Sequence, residues 1–220
     1  MPREQFERRL EALRHDVITL GSMVEKSISQ AVRALEQRDD DLAKGVIAGD
    51  REVDALRYGI EEQCILLFAT QQPLAGDLRW IAAALIIASE LERIGDYAEG
   101  IAKLAFRINA EPLLKPLIDI PRMAGICQQQ LRLGLASYAG RETGAAQRVI
   151  EADSQIDNLY GQILRELLSY MLEDPHSITR ATYLLWVAHN LERIGDRATN
   201  IAERVIFAVT GERLDPHPVG

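Results

Sequence analysis

Apolar residues recur along this chain every three to four positions in six long runs, and polar or proline-bearing breaks separate the runs. That spacing puts them on one face of an α-helix. Phe6, Leu10, Leu13, Val17, Leu20, Val24, Ala31 and Leu35 form the first seam, with Ser27 or Ile28 in the remaining slot. The pattern predicts a long amphipathic helix ending near Gln37. Asp39, Asp40 and Asp41 then supply a cap and an acidic first turn for a second helix. Its seam is Val46, Val53, Leu56, Ile60 and Leu67, and it runs to about Gln71. Pro73 suits the first turn of a third helix. The seam of that helix is Ala84, Ile87, Leu91, Ile94, Ala98, Ile101 and Ala105, and it fades at Asn109.

Pro112, Pro116 and Pro121 interrupt any helix and mark a junction. A fourth helix is expected from about Pro121 to Ala139, stopping at Gly140. A fifth begins near Thr143 as one continuous element, with Val149, Ile156, Leu159, Ile163 and Leu167 on its seam. Asp174-Pro175 caps and opens a sixth, whose seam is Leu184, Val187, Leu191, Ile194, Ala198, Ile201 and Val205. The tail from Asp215 to Gly220 reads as disordered.

The six runs divide into two sets of three that resemble each other. The third and sixth helices correspond at an offset of 100 residues, the second and fifth at 103. The expected fold class is therefore all-α, a tandem repeat of two antiparallel three-helix bundles. The expected domains are residues 1–110 and residues 111–220, the latter carrying the tail.

One hexapeptide occurs in both halves, as Leu91-Glu92-Arg93-Ile94-Gly95-Asp96 and as Leu191-Glu192-Arg193-Ile194-Gly195-Asp196. Within each copy the Glu and the Asp lie four apart, on one helix face, where two carboxylates repel by roughly 0.2–0.5 kcal/mol. Asp50 and Asp54 flank the second seam as Asp153 and Asp157 flank the fifth. Folding each hairpin about its turn, at Pro73 and at Asp174-Pro175, brings Asp54 level with Glu92 and Asp50 level with Asp96. It likewise brings Asp157 level with Glu192 and Asp153 with Asp196. Each bundle thus gathers four carboxylates in one patch.

Such a patch needs a positive partner. Arg93 and Arg193 each point about 100° away from the neighbouring Glu, so a bound cation is the better expectation. All-oxygen ligation suits Mg²⁺, Ca²⁺ or Mn²⁺, or iron where carboxylates bridge a cluster. Asn200, four after Asp196, extends the second patch, while Gly100 stands at the matching place in the first. A solvated acidic face is the competing reading. Gly95 and Gly195 cost helix stability by about 1 kcal/mol each, which is tolerable where something approaches the backbone closely. His189 lies on the side of Glu192 and can ligate or simply be exposed; its counterpart is Ser89. Trp80 and Trp186 are expected to serve packing.

Composition narrows the classes. The chain has 220 residues, is 47% apolar and 5% aromatic, and carries a net charge of −8. That balance argues against a nucleic-acid binder. Cys64 and Cys127 show no CxxC spacing and read as buried free thiols in a reducing compartment. The start of the chain is too polar for a signal peptide. The apolar run Ile81–Ala88 is far short of the roughly 20 residues a membrane span needs. The expectation is a cytoplasmic protein without membrane insertion.

The paired E-R-I-G-D motifs, each preceded by a D-x-x-x-D helix, resemble those of the PhoU-type phosphate-uptake regulators. So do Gln71-Gln72-Pro73-Leu74-Ala75-Gly76-Asp77-Leu78-Arg79 and Asn200-Ile201-Ala202-Glu203. The resemblance runs from Phe6 to about Val209. It implies multinuclear iron or zinc clusters on the E/D-x-x-x-D motifs. Carried over, the ligands are Asp50, Asp54, Glu92 and Asp96 in one site, and Asp153, Asp157, Glu192, Asp196 and Asn200 in the other. Gly100 departs from the Asn often found after the first motif. The resemblance further implies an accessory protein of the phosphate ABC transporter that represses the phosphate-starvation response. Its implied partners are the transporter's ATPase subunit, a sensor histidine kinase and a second copy of itself.

Three functions compete. A non-enzymatic regulator and adaptor is supported by the lack of a nucleophile–base arrangement, a Walker-type loop or a Rossmann signature. A carboxylate-bridged di-iron enzyme needs Glu-x-x-His on two helices, but Gly95 and Gly195 occupy the histidine positions. A metal-free helical scaffold could use the acidic patches to meet basic partners.

Overall fold

The computed structural model describes residues 3–71 and 73–212. The order is α1 (Arg3–Gln37), α2 (Asp40–Gln71), α3 (Ala75–Ile108), α4 (Asp119–Gly140), α5 (Gly144–Glu151), α6 (Ser154–Glu173), a 3₁₀ turn at Pro175–Ser177, and α7 (Ile178–Thr210). No strand occurs among the described residues. Helices α1, α2 and α3 form one antiparallel bundle, and α4, α5/α6 and α7 form the second. The tail from Asp215 to Gly220 lies outside the described residues.

Side-chain caps explain several boundaries, those at Asp39 and Asp174 as predicted. Asp39 accepts hydrogen bonds from the Asp41 and Leu42 N–H groups at 3.0 and 2.9 Å, after Arg38 has ended α1 in a left-handed conformation at φ 54°. Glu142 accepts from the Gly144 and Ala145 N–H groups at 2.6 and 3.2 Å and starts α5. Asp174 accepts from the His176 N–H at 2.9 Å. Helix α3 starts at Ala75, two residues beyond Pro73.

The fifth helix differs from expectation, because it is two helices. Around Ala152 the N–H groups of Ala152, Asp153, Gln155 and Ile156 bond three residues back, to Val149, Ile150, Ala152 and Asp153, at 3.1–3.3 Å. The ladder tightens to 3₁₀ geometry there and resumes as α6. Asp153-Ser154 replaces Asp50-Arg51 of the first repeat, and Asp and Ser compete with helix hydrogen bonding from such positions. The Asp153 carboxylate is held by the Thr199 hydroxyl at 2.8 Å.

The seams are buried as the periodicity predicts, except that Phe6 and Leu56 are only partly so. Ile28, not Ser27, fills the open slot of α1. Every seam residue of α3 and α7 is buried, and Leu91, Ile94, Leu191 and Ile194 are fully so. Burying one such side chain contributes about 1.5–3 kcal/mol. Cys64 and Cys127 are buried free thiols, donating to the Ile81 and Leu191 carbonyls. Trp80 packs on Tyr138 with ring centroids 5.7 Å apart. Trp186 does not meet the packing expectation: it is 48% exposed, one position off the α7 seam, and leans on Tyr183.

The repeats meet along α3 and α7, the most extensive helix pair, with α1 against α4 beside it. The pair is antiparallel: Arg79, early in α3, donates to the Ala208 carbonyl late in α7, and Arg107, late in α3, lies over Tyr183. The contacts are therefore symmetric about a pseudo-two-fold axis, position 90 facing position 200 and position 100 facing position 190. Gly21 of α1 lets Leu135 of α4 approach its backbone. None of the described helices is long and apolar enough to cross a membrane.

Candidate metal centres

The hairpin of α2 and α3 brings the first predicted patch together. Asp54 and Asp96 lie within electrostatic reach of each other and of both Asp50 and Glu92. Burial, then the charges of Glu99, Asp54 and Asp96, pushes the Asp50 carboxyl up to about 6, partly offset by Lys103. Glu92 and Asp96 are also raised, in both cases first by burial and then by neighbouring carboxylates. Glu99, which the sequence reading missed, belongs to this patch and is ion-paired to Lys103. Its signal was its place one turn beyond Asp96 on the same stripe.

Gly95 makes the close approach possible. A Cβ there would stand 3.2 Å from Val53 Cγ1 and 3.5 Å from Asp50 Oδ1. The glycine leaves room for the α2 side chains that carry the patch. Gly195 does the same for Ile156, which a Cβ would meet at 2.6 Å.

The second patch is built differently. Asp157, Glu192 and Asp196 converge, and burial raises Asp157 and Glu192 first, followed by the neighbouring carboxylates. Asp153, at the break between α5 and α6, turns to Thr199 while staying within range of Asp157. Arg193 corrects the helical-wheel expectation. Its long side chain doubles back, with Nε 2.9 Å from Glu192 Oε2 and a terminal nitrogen 3.1 Å from Asp196 Oδ2. Arg93 stays largely in solvent, 4.0 Å from Glu90. His189 is partly exposed, with Nδ1 3.6 Å from Glu192 Oε2. Asn200 lies at the seam between repeats, donating from Nδ2 to Glu90 Oε2 at 3.3 Å.

As the side chains stand, no three His, Cys, Asp or Glu among the described residues form a ready metal cage. The donor sets nevertheless fit a hard cation. The first patch collects raised carboxyls and, unlike the second, has no arginine between its Glu and Asp. In the second, Glu192 Oε2 is buried and makes no well-aligned hydrogen bond, its charge met by the Arg193 guanidinium 2.9 Å away.

Comparison with known proteins bears on this arrangement. The PhoU domain model matches residues 17–105 and again residues 120–205. A Caulobacter vibrioides protein described as a phosphate-specific transport system accessory protein PhoU homolog is 42% identical over 200 residues. The match covers 90% of this chain and 87% of that one. The Escherichia coli (strain K12) phosphate-specific transport system accessory protein PhoU is 38% identical, over 94% of this chain and 86% of its own. The crystal structure of PhoU from Pseudomonas aeruginosa superimposes with a TM-score of 0.91 at 35% identity, covering 94% of this chain and 100% of that one.

Proposed function

The chain belongs to the PhoU family, and from that premise we propose that it is a metal-binding negative regulator of phosphate uptake. It acts as an adaptor between the phosphate ABC transporter and a sensor histidine kinase. The observation that carries this reading is the double PhoU domain match, together with relatives named as accessory proteins of phosphate-specific transport over nearly the whole chain. The contacts are expected with the transporter's ATPase subunit, on the cytoplasmic side, and with the kinase; the working form is expected to be a homodimer.

A bound iron or zinc cluster, or a hard divalent ion, would supply concentrated positive charge that lets the carboxylates of each patch stay ionised together. Asp50, Asp54, Glu92 and Asp96 would hold it in the first repeat. Asp153, Asp157, Glu192, Asp196 and Asn200 would hold it in the second. The protein's own contribution is to fix α2 against α3 and α6 against α7, so that each hairpin presents one defined surface to a partner. This role needs no turnover. The helix position a di-iron enzyme would give to histidine is packed under Val53 at Gly95 and under Ile156 at Gly195, which supports a non-enzymatic reading.

The test is genetic and analytical together. Loss of the gene should derepress a phosphate-starvation reporter in phosphate-replete cells, and the unsubstituted gene should restore repression. Charge reversal by Asp96→Lys with Asp196→Lys should abolish both bound metal, measured by elemental mass spectrometry, and repression. Repression that survives the loss of metal would reduce the patches to passive surfaces.

A further inference from the structure

The two repeats are not equivalently furnished where α3 and α7 cross. The pseudo-two-fold axis pairs position 90 with 200, and position 190 with 100. At the first pair Glu90 accepts from Asn200 Nδ2 at 3.3 Å and from Arg197 at 3.2 Å. At the second, Asn190 fills the space beside Gly100, where an added Cβ would stand 2.9 Å from Asn190 Nδ2. The chain has an acidic acceptor across the seam where it has an asparagine after the motif, and neither where it has a glycine. The Glu90 side chain is only 13% exposed and that of Arg197 only 20%.

We propose that Glu90, a residue of the first repeat, is the positioning residue for Asn200 in the acidic site of the second repeat. This proposal rests on the metal-binding reading above. A carboxylate can face only the NH₂ end of a primary amide. With Nδ2 engaged by Glu90, the planar amide directs Oδ1 to the other side. A hard cation held among Asp157, Glu192 and Asp196 would take that oxygen as a ligand. Glu90 also keeps the Arg197 guanidinium on the seam. The outer partner of a ligand sets its orientation in this way at many metal sites, and its loss typically weakens metal binding about 10–100-fold. One repeat thereby completes the other's site.

The probe is Mn²⁺, followed by titration calorimetry and by its electron paramagnetic resonance signal on the full chain. Each patch is isolated by disabling the other. Asp54→Asn/Asp96→Asn leaves the second, and Asp157→Asn/Asp196→Asn leaves the first. In the chain retaining the second patch, Glu90→Ala should weaken Mn²⁺ binding about tenfold or more. Asn200→Ala should cost the same, and the two together no more than either. Glu90→Gln, which keeps the shape and an acceptor oxygen, should retain most of the affinity. In the chain retaining the first patch, Glu90→Ala should change nothing. Equal weakening of both patches, an unchanged second patch, or additive losses from Glu90→Ala and Asn200→Ala would each overturn the positioning role while leaving the metal reading intact. Failure of the unsubstituted chain to bind Mn²⁺ at either patch would overturn the metal reading and the proposal together.

Discussion

Asp50 offers a direct measure of how strongly the first patch opposes itself. Its carboxyl moves from an ordinary 3.8 to about 6. Unscreened, that displacement corresponds to about 3 kcal/mol. Asp50 is only partly buried, so solvent screens the interaction and about 1 kcal/mol is the realistic penalty. Because the folded value is raised, the penalty is absent below the unfolded value, develops between 3.8 and about 6, and is complete above that. Asp50→Asn should therefore stabilise the metal-free protein at about pH 7.5, by about 2–4 °C in Tm for a chain of this size. The gain should shrink by about half near pH 5. Thermal melts followed by circular dichroism, in chelator and at both pH values, read the double difference and so cancel other titrating groups. Saturating Mn²⁺ should reverse the order. At 100 times its Kd a ligand adds about 2.7 kcal/mol, which the unsubstituted protein collects and the variant largely loses. A variant that destabilises the metal-free protein at neutral pH, or a gain indifferent to pH, would refute the argument that this patch is self-repelling.

Other outcomes follow from packing and capping. Gly21→Ala should cost about 1–3 kcal/mol by denaturant titration, because the new methyl group meets Leu135 at Cδ2 and Cγ within 2.8 and 3.2 Å. Gly49→Ala, where nothing lies within 4 Å, should instead gain up to about 1 kcal/mol. Asp39→Ala removes two hydrogen bonds from the start of α2 and should cost about 1 kcal/mol in the same assay. Burial pushes the Cys64 thiol up to about 12 and moves Cys127 in the same direction. Neither thiol should react with a thiol reagent at neutral pH until denaturant opens the bundle.

Much of this was legible in residue order, because helix bundles write their packing as a 3.6-residue period. The seams of α3 and α7 are buried at every position the pattern marked. The hairpin centres at Pro73 and Asp174-Pro175 put Asp54 opposite Glu92 and Asp157 opposite Glu192, and the patches form there. The break at Ala152 was written in Asp153-Ser154, but hydrophobic period alone cannot register a local tightening that leaves the seam in phase. Arg193 was misread because a helical wheel fixes the Cβ direction and not the reach of a long side chain. Glu90 and its hold on Asn200 were out of reach for a different reason. Their meeting depends on how two repeats pack, and no periodicity within either repeat encodes that.

Where the repeats diverge, they do so in charge and not in core. Leu91 and Leu191, Ile94 and Ile194, and Gly95 and Gly195 occupy the same buried positions. Yet Arg193 bridges its carboxylates where Arg93 stands off in solvent. Lys103 reaches the first patch through Glu99, and the break at Ala152 lets Asp153 turn to Thr199. The duplicated scaffold tolerates such changes because the patches lie one residue off the seam, where a substitution alters electrostatics without opening a cavity. Under the proposed metal binding, the two patches should differ in cation affinity. In the first, no arginine bridges Glu92 and Asp96, and Lys103 and Arg93 only partly offset the charge that an ion would meet. The second would first have to release Arg193 from Glu192 and Asp196, so its apparent affinity should carry the cost of breaking that pair. Arg193→Met, which keeps the aliphatic stem and removes the charge, should strengthen Mn²⁺ binding at the second patch and leave the first unchanged. A loss of binding there would mean that Arg193 organises the carboxylates and does not compete for them.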